Sequence, residues 1–246
     1  MAVIDMSYSR LSTYDMCAAK YFYRYVVKED GVFGAAAALG KILHSVLEET
    51  IEPGVPPNLP EMVVTYEAQR AVHDPEREIS DELIEAGYQM LTEFVARHEG
   101  ETFEVLGREV EFNLLLGSAL VRGYIDRIDR ESDFIRVVDY KSGSYEVPLI
   151  HIHNDLQLGI YALAVSRMYP GERVYAELYY LRSGKRKGHF FSEEDLARVE
   201  TRVLAQVNEI IERRHFHTTN NVRICSFCDY RISGTCPTGV ARYRYR

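Results

Sequence analysis

Residues 121–143, VRGYIDRIDRESDFIRVVDYKSG, leave a chain few ways to fold. They read as two short strands, 120–128 and 134–141, joined by the polar turn Glu131-Ser132-Asp133. Side chains on a strand alternate between faces. On the second strand Ile135, Val137, Asp139 and Lys141 therefore share one face, while Val138 and Tyr140 take the other. A carboxylate and an ammonium are held side by side, and a hairpin brings Asp126 of the first strand beside Asp139. Two carboxylates at that closeness repel unless something positive lies between them. A divalent cation with Lys141 next to it answers that need, and hard oxygen ligands favour magnesium or manganese. A surface hairpin with an i,i+2 ion pair shows the same Asp-x-Lys, so further residues must decide.

With 246 residues, 46% of them apolar, the chain can form one large domain or one domain with a sizeable insertion. No run approaches the length of a membrane-spanning helix. Residues 1–10 are mixed and polar rather than an apolar signal segment, so a cytoplasmic location is expected. The net charge of −8 counts against indiscriminate nucleic-acid binding. Its distribution is uneven: residues 48–111 hold 17 acidic and 4 basic side chains, a net −13, which leaves the remainder at +5. Three of the four cysteines, Cys225, Cys228 and Cys236, crowd the C-terminal stretch, and Cys17 stands far from them. In a cytosolic chain this grouping favours a metal over disulfides. The spacing alone fits zinc and iron–sulfur equally.

Elsewhere the periodicity predicts a helix over 7–27 with Ser7 or Ser9 as cap, a loop over 31–40, and a helix over 40–48 whose apolar face is Leu43, Val46 and Leu47. His44 lies on that helix. Two amphipathic helices, 62–72 and 80–98, read as a helical insertion. A strand over 103–116 carries Glu109 and Glu111 on one face; contact with the active site is open to Glu109, but a structural or surface role is expected. After the hairpin comes a loop with His151 and His153, both read as ordinary exposed histidines. A helix over 156–168, capped by Asn154 or Asp155, follows it. Gln157 and Tyr161, four apart, share a face of that helix. Arg182, Lys185, Arg186 and Lys187 make a small basic cluster at a hairpin turn, suited to phosphates or to plain solvation. A long helix over 192–215 opens on a Ser192–Asp195 cap, with Leu196, Val199, Val203, Val207, Ile210 and Ile211 as its core face. The tail Arg242-Tyr-Arg244-Tyr-Arg246 interleaves charge with aromatics, as single-strand binders do.

Gly-Tyr-Ile-Asp126 followed by Asp139-Tyr-Lys141 resembles the PD-(D/E)xK nuclease core in its RecB-like form, shared by helicase–nuclease subunits and CRISPR-associated exonucleases. Gly40-x-x-x-His44, Gln157-x-x-x-Tyr161 and the split cysteine set, with Ser9 before Cys17 and Tyr21-Phe22-Tyr23 after it, match the same family. The resemblance implies an α/β fold: a restriction-endonuclease-like core with a central mixed β-sheet flanked by helices. It also implies one nuclease domain over 1–246, with a helical insertion at about residues 50–105. It makes His44, Asp126, Asp139 and the Tyr140 carbonyl ligands of Mg2+ or Mn2+, with Asp126, Asp139, Lys141, Gln157 and Tyr161 as the catalytic set. It assigns Cys17, Cys225, Cys228 and Cys236 to a [4Fe–4S] cluster joining the N- and C-terminal regions. Seven residues separate Cys228 from Cys236, more than the family pattern. The implied activity is exonucleolytic cleavage of single-stranded DNA ends in CRISPR spacer acquisition (prespacer processing). DNA, CRISPR integrase proteins and a second copy of the chain are the implied partners. No G-x-x-x-x-G-K-[ST] phosphate loop occurs, which fits a nuclease without a helicase motor. The rival readings are a general repair or phage recombination nuclease and a non-catalytic DNA-end-binding subunit. The intact Asp126, Asp139 and Lys141 speak against the last.

Overall fold

Ser7 opens the first helix by accepting the Arg10 N–H at 3.2 Å, as a serine cap does. The structure, a computed structural model, describes residues 3–29, 31, 34–76, 78–213, 215–219 and 221–236. In chain order the elements begin with β1 (Ile4–Met6), α1 (Tyr8–Met16), α2 (Ala18–Tyr21), a π-helical turn (Phe22–Val27), α3 (Ala35–Thr50), α4 (Leu59–His73) and α5 (Asp81–Arg97). Then come β2 (Val105–Leu116), β3 (Ala119–Arg130), β4 (Ile135–Lys141), a 3-10 turn (Leu149–Asn154), α6 (Leu156–Met168), β5 (Val174–Tyr180) and β6 (Arg186–Phe191). The chain continues with α7 (Glu193–Glu212), α8 (Val222–Ser226) and α9 (Asp229–Ile232).

Two expectations change. The helix expected over 7–27 is broken at Cys17, whose φ of −164° and ψ of 114° are extended. The four alanines expected in a loop, Ala35–Ala38, begin α3 instead, since alanine loses the least on becoming helical.

The described residues fall into two compact units. The larger spans 33–113 and 123–200. In it β3 pairs antiparallel with β4, β4 parallel with β5, and β5 antiparallel with β6, while β2 pairs with β3. The sheet is mixed, and α6 makes the crossover that a parallel β4–β5 pair requires. Asp155 caps α6 by accepting the Leu158 N–H at 3.0 Å. The core joins α3, α4 and α5 to one side of the sheet: Leu39, Leu43, Tyr66, Leu91 and Phe94 pack with Val138, Tyr140 and Tyr179. The helices expected as an insertion thus share the main core. Ser192 and Asp195 cap the start of α7 reciprocally, at 2.9 and 3.2 Å.

The smaller unit gathers 1–32, 114–122 and 201–246. Here β1 pairs parallel with the first residues of β3. The Tyr14 hydroxyl donates to Glu209 at 2.9 Å, and Gln206 donates to the Leu11 carbonyl and to Asp15, both at 2.8 Å. Val203, Val207 and Ile210 of α7 are buried, but Ile211 is 47% exposed, outside the core face it was assigned. Among the described residues no helix is long and apolar enough to cross a membrane.

Candidate active site

Register decides where the hairpin's charges meet. Arg127 pairs with Val138, so the next position sets Asp126 against Asp139. There the ladder gives way to a side chain: Asp126 Oδ2 accepts the Tyr140 N–H at 2.7 Å. Its other oxygen, Oδ1, lies 3.2 Å from His44 Nδ1. The alternation brings Ile125 and Arg127 to the opposite face, where both are buried. Arg127 Nε pairs with Asp129 Oδ1 at 3.0 Å, and its guanidinium sits 4.1 Å from the Phe103 ring centroid. Gly123 is the residue Phe112 requires, because a Cβ there would come within 2.9 Å of that ring.

Asp139 is 2% exposed. Its Oδ2 lies 2.6 Å from Lys141 Nζ, which also donates to Gln157 Oε1 at 2.7 Å. Gln157 Nε2 in turn donates to Tyr161 Oη at 3.0 Å. The Tyr161 ring meets Phe112 edge-on at 5.8 Å. Asp139, Lys141, Gln157 and Tyr161 thus form one polar chain, and the i,i+4 pair read on the helix faces the lysine.

Glu109, weighed for the active site from the sequence but assigned a structural or surface role, joins the metal-ligating group. One ligand atom each from His44, Glu109 and Asp126 lie within 4.8 Å of one another. Glu109 has φ +45°, in the left-handed region. Before it, Leu106 is 40% exposed; after it, Phe112, Leu114 and Leu116 are buried. Inward and outward positions exchange at Glu109, as a one-residue bulge makes them do. Glu109 consequently leaves the face expected of it and points toward His44, while Glu111 stays exposed. Sequence offered a weak signal: Val105 and Leu106 put an apolar residue on either parity. The three-residue grouping contains Glu109 and not Asp139, whose carboxylate is held by Lys141.

The electrostatics suit a cation. Burial alone would lower the His44 imidazole, but the charge and hydrogen bond of Asp126, with Asp139 beyond, push it up to about 9. Burial, then the Asp126 charge acting against the Lys141 charge, raises Asp139 to about 6. Burial followed by repulsion from Asp126 and Glu48 raises Glu109. Three carboxylates crowded with one imidazole form an oxygen-rich donor set, which fits magnesium or manganese.

The four thiols belong to the smaller unit, but among the described residues the ligand atoms that converge tightly enough for a metal are those of His44, Glu109 and Asp126, not the sulfurs. Cys17, at the break between α1 and α2, accepts the Thr219 N–H at 3.4 Å, and Cys225 donates to the Thr219 carbonyl at 3.7 Å. The Cys228 N–H bonds the Cys225 carbonyl at 3.3 Å, and the Cys236 N–H the Tyr230 carbonyl at 2.7 Å. Burial, reinforced by Cys17, Cys228 and Cys236, pushes the Cys225 thiol up. All four are free of disulfides, and four thiolates are a donor set for zinc or an iron–sulfur cluster.

The basic turn divides. Arg186 turns inward to Glu177 at 2.6 Å. Lys185 and Lys187 both hold Glu146, at 3.3 and 2.9 Å. Arg182 donates to the Ser142 carbonyl at 2.9 Å. His151 and His153 are exposed, the latter with its ring 6.2 Å from that of His189. The tail Arg242–Arg246 lies outside the described residues.

Comparison with known proteins matches residues 5–236 to the family model of the PD-(D/E)XK nuclease superfamily. The gene 69 protein of Mycobacterium phage D29 is 32% identical over 134 residues, covering 52% of this chain and 47% of that protein. The gene 69 protein of Mycobacterium phage L5 is 32% identical over 135 residues, covering 52% of this chain and 43% of that one. The similarity thus spans about half the length of these curated relatives. The crystal structure of a candidate exonuclease from Eubacterium rectale superposes with a TM-score of 0.57 over 98% of this chain and 89% of that one. At 12% identity this last likeness is one of fold.

Proposed function

The chain belongs to the PD-(D/E)XK nuclease superfamily, and from that premise we propose that it is a magnesium- or manganese-dependent DNA exonuclease acting on single-stranded ends. The observation that carries the reading is Lys141, whose ammonium is held by Asp139 at 2.6 Å and Gln157 at 2.7 Å beside the metal-ligating group. His44, Glu109 and Asp126, with Asp139 and, by the family resemblance, the Tyr140 carbonyl, are the residues that would hold the cation. Bound there, a divalent ion lowers the pKa of a water and offsets charge on the scissile phosphate.

The remaining chemistry belongs to the side chains. Water attacks phosphorus, the P–O bond to the leaving nucleotide breaks, and negative charge grows on the phosphoryl oxygens. Lys141 is the cation aimed at that charge. Gln157 sets the direction of the ammonium, and Tyr161, buried and locked against Phe112, sets Gln157.

The same reading extends to the thiols. Cys17, Cys225, Cys228 and Cys236 bind a [4Fe–4S] cluster, with zinc as the alternative their donor chemistry also allows. CRISPR spacer acquisition, with integrase partners, is the setting the cysteine set suggests. The two mycobacteriophage relatives favour a phage recombination or repair setting instead.

End-labelled single-stranded and duplex DNA, incubated with manganese or magnesium, tests the activity. Cleavage from an end is expected. Lys141→Ala should lower it by about 10²- to 10³-fold without weakening metal affinity, because a neighbouring cation has been removed. Asp126→Ala and Asp139→Ala should lose the metal as well. Wild-type rates in both Asp139→Ala and Lys141→Ala would leave the hairpin a salt-bridged surface element and sink the nuclease reading.

A further inference from the structure

The loop that follows Lys141 exposes apolar side chains while its polar residues are tied down. Tyr145 is 76% exposed, Leu149 65% and Ile150 73%. Between them Glu146 takes the ammonium groups of Lys185 and Lys187 at 3.3 and 2.9 Å. The Val147 N–H donates to the Tyr180 hydroxyl at 2.8 Å, and the Val147 carbonyl accepts from Lys187 at 2.9 Å. A loop so anchored does not fold its apolar side chains inward, and exposing a tyrosine beside two aliphatics needs an explanation.

The loop also adjoins the metal-ligating residues. Its first residue, Ser142, sits where a Cβ on Gly40 would come within 3.3 Å of it, one helical turn before His44 on α3. A second aromatic stands on the other strand. Tyr124 shares its face of β3 with Asp126, two residues away, or about 7 Å along a strand, and is 55% exposed. Positive charge lies alongside: Arg182 holds the loop's Ser142 carbonyl, and Lys185 is 62% exposed.

From these observations we infer that Tyr124 and Tyr145, with Leu149 and Ile150, form a stacking surface for the nucleobases of a single strand of DNA bound at the active site. The inference rests on the nuclease reading and deepens it. Every base has a π face, so such a surface holds a strand without reading its sequence. Arg182 and Lys185 would meet the phosphates on either side. A base-paired duplex hides its base faces, so the surface favours unpaired ends over duplex.

Two oligonucleotides of equal length, oligo-dT and an abasic strand, separate base stacking from phosphate binding. Affinities are measured by fluorescence anisotropy in EDTA, so that no cleavage intervenes. The unsubstituted chain should bind oligo-dT more tightly than the abasic strand. Tyr145→Ala and Tyr124→Ala should each weaken oligo-dT binding by about 5- to 100-fold. Affinity for the abasic strand and the slope of log affinity against log salt should stay unchanged, because no phosphate contact is lost. Equal affinity of the parent for both strands, or an equal loss on both in the variants, overturns the inference. A parent dimer that Tyr145→Ala converts to monomer by sedimentation assigns the surface to a second copy and overturns it too. Metal-dependent cleavage by the parent is followed separately. Base-selective binding through Tyr145 with no cleavage keeps the stacking surface and removes the nuclease reading, and cleavage without base selectivity does the reverse.

Discussion

His44, raised to about 9 by Asp126, carries a proton at neutral pH, and a protonated imidazole cannot ligate a metal through the nitrogen that holds it. Metal uptake at pH 7.5 should therefore release about one proton. Calorimetry in buffers of differing ionisation enthalpy reads that number directly. The release should vanish above pH 9 and in His44→Gln; a proton count near zero at pH 7.5 would remove His44 from the ligand set. Asp139 titrates in a lower window. Its pKa is raised from 3.8 to about 6, first by burial. Between those values the folded chain binds more protons than the unfolded one, so this group makes stability fall as pH rises from about 4 to 6. Urea midpoints of the metal-free chain should follow that slope, and Asp139→Asn should flatten it. An unchanged slope in Asp139→Asn would place the titration elsewhere.

At the scale of elements, the hairpin was legible because its side-chain period of two and its polar turn are both written in residues 120–141. The helix pair Gln157 and Tyr161 was legible through its spacing. The slip in β2 showed only in the weak parity signal of Val105 and Leu106. A left-handed residue leaves no compositional mark unless it is glycine or asparagine, and Glu109 is neither. A glutamate at φ +45° costs about 1 kcal/mol of backbone strain. Glu109→Gly should accordingly stabilise the metal-free chain by up to about 1 kcal/mol in urea unfolding while weakening manganese binding. A variant that loses stability and keeps its metal affinity would mean the slip serves packing alone. The break at Cys17 was invisible, since the helical periodicity of Tyr14, Tyr21 and Tyr25 runs across it. Helices α4 and α5 meet at Gly87, where a Cβ would lie 2.2 Å from the Tyr66 hydroxyl oxygen, itself bonded to the Ile84 carbonyl at 3.1 Å. Gly87→Ala should cost about 1–3 kcal/mol through overpacking, against about 1 kcal/mol gained from helix propensity. An urea midpoint above that of the parent would show that Tyr66 moves aside freely.

For the whole molecule, the cysteines tie together residues that the chain keeps far apart. Cys17→Ala should lose bound iron as fully as Cys225→Ala, measured on protein prepared without oxygen. A Cys17→Ala protein with its full iron content would detach α1 and α2 from that site, and stoichiometric zinc without iron would replace the cluster by a zinc centre. The segment composition of the two units has a further consequence, in the order of manufacture. Residues 33–200 contain both segments of the unit that holds His44, Asp126 and Lys141, and they enclose 114–122, which belongs to the other unit. The other unit needs residues from 201 onward, and the Thr219 N–H meets Cys17 across 202 positions. At about 5–20 residues per second of synthesis, the first helices wait roughly 10–40 s for their partners. A chain ending at residue 200 would hold all of the larger unit and none of the later residues that Tyr14, Leu11 and Cys17 bond. Nascent chains of that length should be the ones a chaperone holds longest, and the proposed cluster could not be loaded before Cys236 is made.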